Sequence, residues 1–146
     1  MKKFRNRNVF LDANVICDYL LGRGYHTENA EDIFGFAQNR IISIYVSSFT
    51  FAIAYYFMRR ENKSPHIIAL EALGRMYKIV QCVPVDNAII YQAIKSEFGD
   101  YEDAIQYCCA LKVPKCEAII TRNAKDFMFS DVSVVSPQFF LRHHIN

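Results

Sequence analysis

The chain has 146 residues, 52% of them hydrophobic, with 17 Lys and Arg against 15 Asp and Glu for a net charge of +2. That length excludes a large multidomain enzyme, and the apolar share excludes a disordered chain, since a chain of this size buries about 70% of its unfolded surface. The charge balance is too even to mark a nucleic-acid binder by bulk attraction, so function has to be read from where single side chains fall.

The opening MKKFRNRN is basic but leads into only a short apolar run, which predicts no signal-peptide core. No stretch reaches the ~18 apolar residues of a membrane span, so a cytoplasmic protein is expected. NVFLD at 8–12 predicts a strand, and a helical pattern follows at 13–22. Thr27 is placed to cap a second helix ending near Arg40. IISIYV at 41–46 reads as a buried strand, with Ser47 or Ser48 capping a long helix through Arg60. Ser64-Pro65 opens another helix to about Lys78. IVQCVPV at 79–85 predicts a third strand, and Asp86 caps a helix to about Phe98. Gly99-Asp100 breaks that helix and starts another over 100–112. EAIIT at 117–121 and VSVV at 132–135 complete the strands, and Ser136-Pro137 opens a short C-terminal helix. Strands alternating with helices predict one α/β domain over residues 1–146, a three-layer α/β/α fold with a mainly parallel five-stranded sheet.

In such a sheet the functional crevice lies beyond the carboxyl ends of the strands. The first strand ends in Asp12, followed by Asn14; the fourth ends in Thr121-Arg122-Asn123, with Asp126 soon after; Asp100-Tyr101-Glu102-Asp103 opens the helix before it. Asp12, Asp103 and Asp126, with Glu102 and Asn123 nearby, make an all-oxygen set suited to Mg²⁺ or Mn²⁺. Metal-activated water at such a site hydrolyses phosphodiesters. Each acid also has a plain structural role open to it: Asp12 and Asp100 as helix caps, Asp103 as a partner of the helix dipole, Asn123 and Asp126 as turn residues. Asp18, Glu28, Glu31 and Asp32 read as solvated, as do Arg59, Arg60 and Lys63 at a helix end and His143 and His144 in the tail. The cysteines at 17, 82, 108, 109 and 116 read as reduced core thiols, because the CxxC pairing that zinc sites favour is absent. The aromatic helix with Phe49, Phe51, Tyr55, Tyr56 and Phe57 reads as core or as a protein interface rather than a platform for bases.

Three blocks in order, Phe10-Leu11-Asp12-Ala13-Asn14-Val15-Ile16, Asp100-Tyr101-Glu102-Asp103-Ala104 and Ile120-Thr121-Arg122-Asn123-Ala124-Lys125-Asp126-Phe127, resemble those of the PIN-domain ribonucleases, including the VapC-like toxins of toxin–antitoxin pairs. The resemblance implies a Mg²⁺- or Mn²⁺-dependent nuclease that hydrolyses RNA, with Asp12, Asp103 and Asp126 as catalytic and metal-binding acids and Glu102 as a further ligand. It implies supporting roles for Asn14, Thr121 and Asn123. Arg23, Arg122 and Lys125 would meet the RNA backbone. It also implies an antitoxin partner and a homodimer. Two acids of the family pattern are missing: Ile53 stands where the helix after the second strand usually carries Glu, and Asn123 stands at the fourth acid. Ala13 replaces the usual Thr of the first block. The alternative is therefore a non-catalytic PIN-like module that binds nucleic acid or protein. A haloacid-dehalogenase-like phosphatase would need a second Asp where Asn14 stands.

Overall fold

The computed structural model describes residues 7–145; the basic opening segment of residues 1–6 lies outside them. Five parallel strands, β1 (Asn8–Leu11), β2 (Ser43–Ser47), β3 (Gln81–Val83), β4 (Cys116–Ile120) and β5 (Val134–Val135), form one sheet in the order β3-β2-β1-β4-β5. The helices are α1 (Ala13–Leu21), α2 (Tyr25–Gln38), α3 (Ser48–Arg60), α4 (His66–Tyr77), α5 (Asn87–Lys95), α6 (Tyr101–Ala110) and α7 (Pro137–His143). A 3₁₀ turn at Ala124–Phe127 follows β4. The predicted three-layer α/β/α fold is the one observed, and the sheet is parallel throughout.

The two-residue period of the strands sorts the core. Val9, Leu11, Ile44, Val46, Ala118 and Ile120 point to one face and pack with Val15, Ile16, Ile33, Phe34 and Phe140 from α1, α2 and α7, together with residues of α3 and α4. Phe10 and Ile119 point to the other face and pack with Ile89 and Ala93 of α5, Ala104 and Ile105 of α6, and Phe127. Burying each Val, Leu, Ile or Phe among these contributes about 1.5–3 kcal/mol, so both layers are tied to the sheet. None of the helices among the described residues is long and apolar enough to cross a membrane.

Helix starts follow the cap chemistry of the sequence. Ser47 accepts from Thr50 N, Asp86 from Ile89 N, Asp100 from Asp103 N and Ser136 from Phe139 N, each with an extended cap backbone. Thr27 is a correction. Gly24, at φ 60°, turns the chain so that α2 starts at Tyr25, and the Thr27 hydroxyl instead accepts from Arg23 N and donates to the Asp18 carbonyl. Helix α4 starts at His66 with Pro65 at its cap, one residue later than predicted. Strand β3 is trimmed at both ends. Ile79 N and Val80 N still bond to the Met76 carbonyl of α4, and Pro84 has no N–H to continue the ladder. Helix α5 stops at Lys95 rather than Phe98: Ser96 is extended and its hydroxyl donates to the Ala93 carbonyl. Phe98 instead packs on Tyr107 and Phe127, at 5.0 and 5.8 Å between ring centroids.

Two further expectations change. Cys82 on the edge strand β3 is exposed, so the thiols are not all in the core, although Cys17, Cys108 and Cys109 are buried. His144 is no tail residue: its Nδ1 lies 3.2 Å from Glu117 Oε1 and its ring stacks on Phe140, fastening α7 to β4.

Candidate active site

Strand β1 is central, and the chain runs to β2 on one side of it while β4 pairs on the other. This makes the β1/β4 boundary the switch point of the sheet. Asp12 leaves β1 there. Its backbone N donates to the Ile120 carbonyl at 3.0 Å, so the ends of β1 and β4 are joined. The Asp12 carboxylate is 5% exposed and satisfied twice: Oδ1 accepts from Ala13 N and Oδ2 from the Thr121 hydroxyl, both at 2.8 Å. Thr121 Oγ1 in turn accepts from Asn14 Nδ2 at 3.2 Å and Asn123 N at 3.1 Å. Asn14 Oδ1 accepts from Arg122 N at 3.4 Å. Asp12, Asn14, Thr121 and Asn123 therefore form one hydrogen-bonded unit, and Asp12 is both a helix cap and part of it.

The acids of α6 act on this unit through their charge. Burial pushes the Asp12 carboxyl up from 3.8 to about 6, against the hydrogen bonds from Thr121 and Ala13, and the charges of Glu102 and Asp126 push the same way. Asp103, half-buried at the third position of α6, is pushed up to about 7 by burial and then by Asp12, Asp100, Asp126 and Glu102. Burial and Asp100 also raise Glu102, which is exposed. Asp126 is exposed in the 3₁₀ turn. The acids of three distant segments thus share one electrostatic environment. Among the described residues, no three carboxylate, imidazole or thiol side chains are grouped closely enough to form a ready-made metal cage. The oxygen-only donor set still suits a hard cation that keeps several waters, because mutual repulsion among the acids is what such a cation relieves.

A pH dependence follows from the two raised carboxyls. Asp12 and Asp103 bind protons in the folded chain at about 6 and about 7, against 3.8 when unfolded. The folded state holds more protons between about pH 4 and 7, so stability falls as pH rises through that window. Glu117, held below its ordinary 4.5 by Arg7, acts in the opposite sense but only in more acidic solution. The metal-free protein is expected to have a higher urea midpoint at pH 5 than at pH 8. Asp12→Asn should shrink that difference, and equal midpoints at both pH values would show that the acids are not coupled to folding.

The arginines depart from expectation. Asp18, read as solvated, is 1% exposed. Arg122 grips it with Nε to Oδ2 at 2.6 Å and Nη2 to Oδ1 at 3.0 Å, and Arg23 Nη1 reaches Oδ1 at 3.2 Å. Arg23 Nη2 also meets both Glu61 oxygens at 3.1 Å, and its guanidinium lies 5.9 Å from the Phe57 ring. Of the three cations expected at the RNA backbone, the two arginines are thus paired with carboxylates of the chain, whereas Lys125 is exposed. The missed signal is spacing: Asp18 stands four residues after Asn14 and so shares its helical face, toward Thr121 and Arg122. Glu28, Glu31, Asp32, Arg59, Arg60 and Lys63 are exposed, as expected.

The position of the missing second acid is apolar in fact. Ile53 is half-buried against the larger core cluster. One turn earlier on α3, Thr50 Oγ1 lies 3.1 Å from Ser47 Oγ and accepts from Gln106 Nε2, also at 3.1 Å, in a fully buried trio. Gln106 Oε1 is buried with no hydrogen-bond partner among the described residues. A neutral polar group therefore stands beside the place where the family pattern carries an acid, and sequence reading missed it.

Residues 8–125 match the family model of the PIN domain. The chain belongs to the PIN-domain family. Among solved structures, this PIN domain is similar to VapBC2 from Rickettsia felis, crystallised bound to a DNA fragment from their promoter. That match has a TM-score of 0.59 and 15% identity, over 88% of this chain and 97% of that one. It is also similar to Mycobacterium tuberculosis VapC20, described as a toxin that cleaves the sarcin-ricin loop. Here the TM-score is 0.57 at 15% identity, over 76% of this chain and 86% of that one. At such identities the likeness concerns the fold. No curated protein sequence matches the chain significantly.

Proposed function

We propose that this PIN domain is a divalent-metal-dependent nuclease that hydrolyses RNA as a VapC-like toxin. The observation that carries the reading is Asp12: a buried carboxylate at the switch point, doubly hydrogen-bonded and raised to about 6 within the field of acids from two other segments. Asp12, Asp103 and Asp126 would hold Mg²⁺ or Mn²⁺, with Glu102 supplying negative charge at the rim. When bound, the ion supplies activated water and stabilises the leaving oxygen. The chain's own contribution is positional. Thr121 and the Ala13 amide fix both oxygens of Asp12, Asn14 ties Thr121 to the loop after β4, and Asn123 closes that loop. With Ile53 and Asn123 at two positions of the acid pattern, one ion rather than two fits the charge available. The solved VapBC2 complex favours an antitoxin as protein partner.

Incubation of the full chain with single-stranded RNA and Mn²⁺ or Mg²⁺ tests the reading, with thermal melting followed with and without the ions. Ion-dependent cleavage together with an ion-induced rise in melting temperature is expected. An absence of cleavage of any RNA or DNA with either ion, and of any shift in melting, would favour the non-catalytic module.

A further inference from the structure

A cavity of about 210 Å³ opens between the start of α2 and the start of α7, and Arg122 forms part of its wall. Arg122 directly follows Thr121, which bonds to Asp12, so the cavity begins one residue from the acid pocket. Its other walls carry Tyr25, His26, Asn29, Ser136 and Gln138. The Tyr25 ring is 64% exposed and packs against His26, at 4.1 Å between ring centroids. Arg122 already spends its fork on Asp18, so it offers the cavity a planar guanidinium rather than a net charge. The other polar groups of the wall are two side-chain amides, which pair donor and acceptor as base edges do, the hydroxyls of Ser136 and Tyr25, and the His26 imidazole, and none of them is a guanidinium or an ammonium. A phosphate would find no uncompensated guanidinium or ammonium among these lining residues. A planar heterocycle would find an aromatic ring and hydrogen-bonding edges. The volume lies below the ~300–1,000 Å³ of sites for drug-sized ligands and suits one ring system, not a chain of nucleotides.

We infer that this cavity is a nucleobase subsite, which receives one unstacked base of a single strand whose phosphate lies at the acid pocket, with Tyr25 as the stacking platform and Asn29 and Gln138 as readers of its edge. The inference rests on the nuclease reading and adds the means by which substrate sequence is selected. The closing experiment measures fluorescence anisotropy of labelled six-nucleotide homopolymers of A, C, G and U, and of an abasic strand of equal length, binding the full chain carrying Asp12→Asn to prevent turnover. Tyr25→Ala should weaken binding of base-bearing strands about tenfold, the scale of a lost base–aromatic stack, and leave the abasic strand unchanged. Tyr25→Phe, which keeps the ring, should restore it. Asn29→Ala with Gln138→Ala should narrow the spread of affinities among the four homopolymers. Equal losses on abasic and base-bearing strands, or no loss on any, would overturn the subsite. If that happens while the unmodified chain still cleaves RNA with Mn²⁺, the subsite alone fails. If the unmodified chain neither binds nor cleaves any strand, the nuclease reading fails and takes the subsite with it.

Discussion

Asp12→Asn is expected to lower metal-dependent cleavage by on the order of a hundredfold or more while making the metal-free protein more stable. Outer-shell partners of a metal alone are worth about 10–100-fold, and a carboxylate placed to face the ion should be worth at least as much. The gain in stability has a separate cause. Folding takes the Asp12 carboxylate almost wholly out of water, into the field of Glu102 and Asp126, and lifts its proton affinity from 3.8 to about 6. A shift of that size corresponds to roughly 1–3 kcal/mol of unfavourable energy once the group is ionised at pH 8. The amide removes the charge and keeps the shape, at the cost of one of the two hydrogen bonds: its single oxygen replaces one carboxylate oxygen, and Thr121 Oγ1, which already accepts from Asn14 Nδ2 and Asn123 N, has no lone pair left for the new NH₂. Asp103→Asn should act in the same two directions. Asp126→Asn should change stability least, because Asp126 is exposed. Rates on single-stranded RNA and urea midpoints at pH 8 check both halves. Retained cleavage in Asp12→Asn and Asp103→Asn would remove these acids from the chemistry, and a loss of stability would show that their charge is compensated.

Arg122→Ala should be the costlier of two cuts through the ion network behind the site, at about 2–3 kcal/mol, against about 1 kcal/mol for Asp18→Asn. Removing one partner of a buried pair is expensive because the other is left charged and unsolvated. Asp18 is the member that cannot reach water, at 1% side-chain exposure, while Arg122 and Arg23 keep 31% and 26%. Without Arg122, the carboxylate keeps Arg23 at 3.2 Å as its one cationic partner among the described residues. Without the carboxylate, both guanidinium groups turn outward. For a chain of this size the larger loss lowers the melting temperature by about 5–10 °C. Arg122→Ala also loosens the loop that carries Asn123 and Asp126, so cleavage should fall with it. Urea denaturation of the two variants decides the matter, and an Asp18→Asn cost equal to or above that of Arg122→Ala would contradict the burial argument.

Much of the fold was legible because its causes are local. Strands enclosed between helix layers appear as short apolar runs, as in Ile44–Val46 and the fully buried Ala118–Ile120, and helix starts announce themselves through a side-chain oxygen three residues before an amide, as at Ser47, Asp86, Asp100 and Ser136. Helix ends were less legible. The end of α5 at Lys95 depends on Phe98 finding Tyr107 and Phe127, contacts that lie outside any local window. Thr27 has a capping side chain but is recruited by Asp18 and Arg23, after a glycine turn that sets the start of α2 for itself.

The candidate site divides along the same line. The sequence by itself determined which residues follow the carboxyl ends of β1 and β4, that they are oxygen donors, and that position 53 lacks an acid, because strand order and residue type are written along the chain. Only the tertiary structure decided their state. Asp12 is raised because the fold buries it and brings Glu102 and Asp126 within its field. Asp18 is an internal ion rather than a surface one because Arg122, 104 residues away, is folded onto it. Burial and pairing are sums over neighbours distant in the chain, and those sums turned two arginines read as substrate contacts into fixed parts of the scaffold.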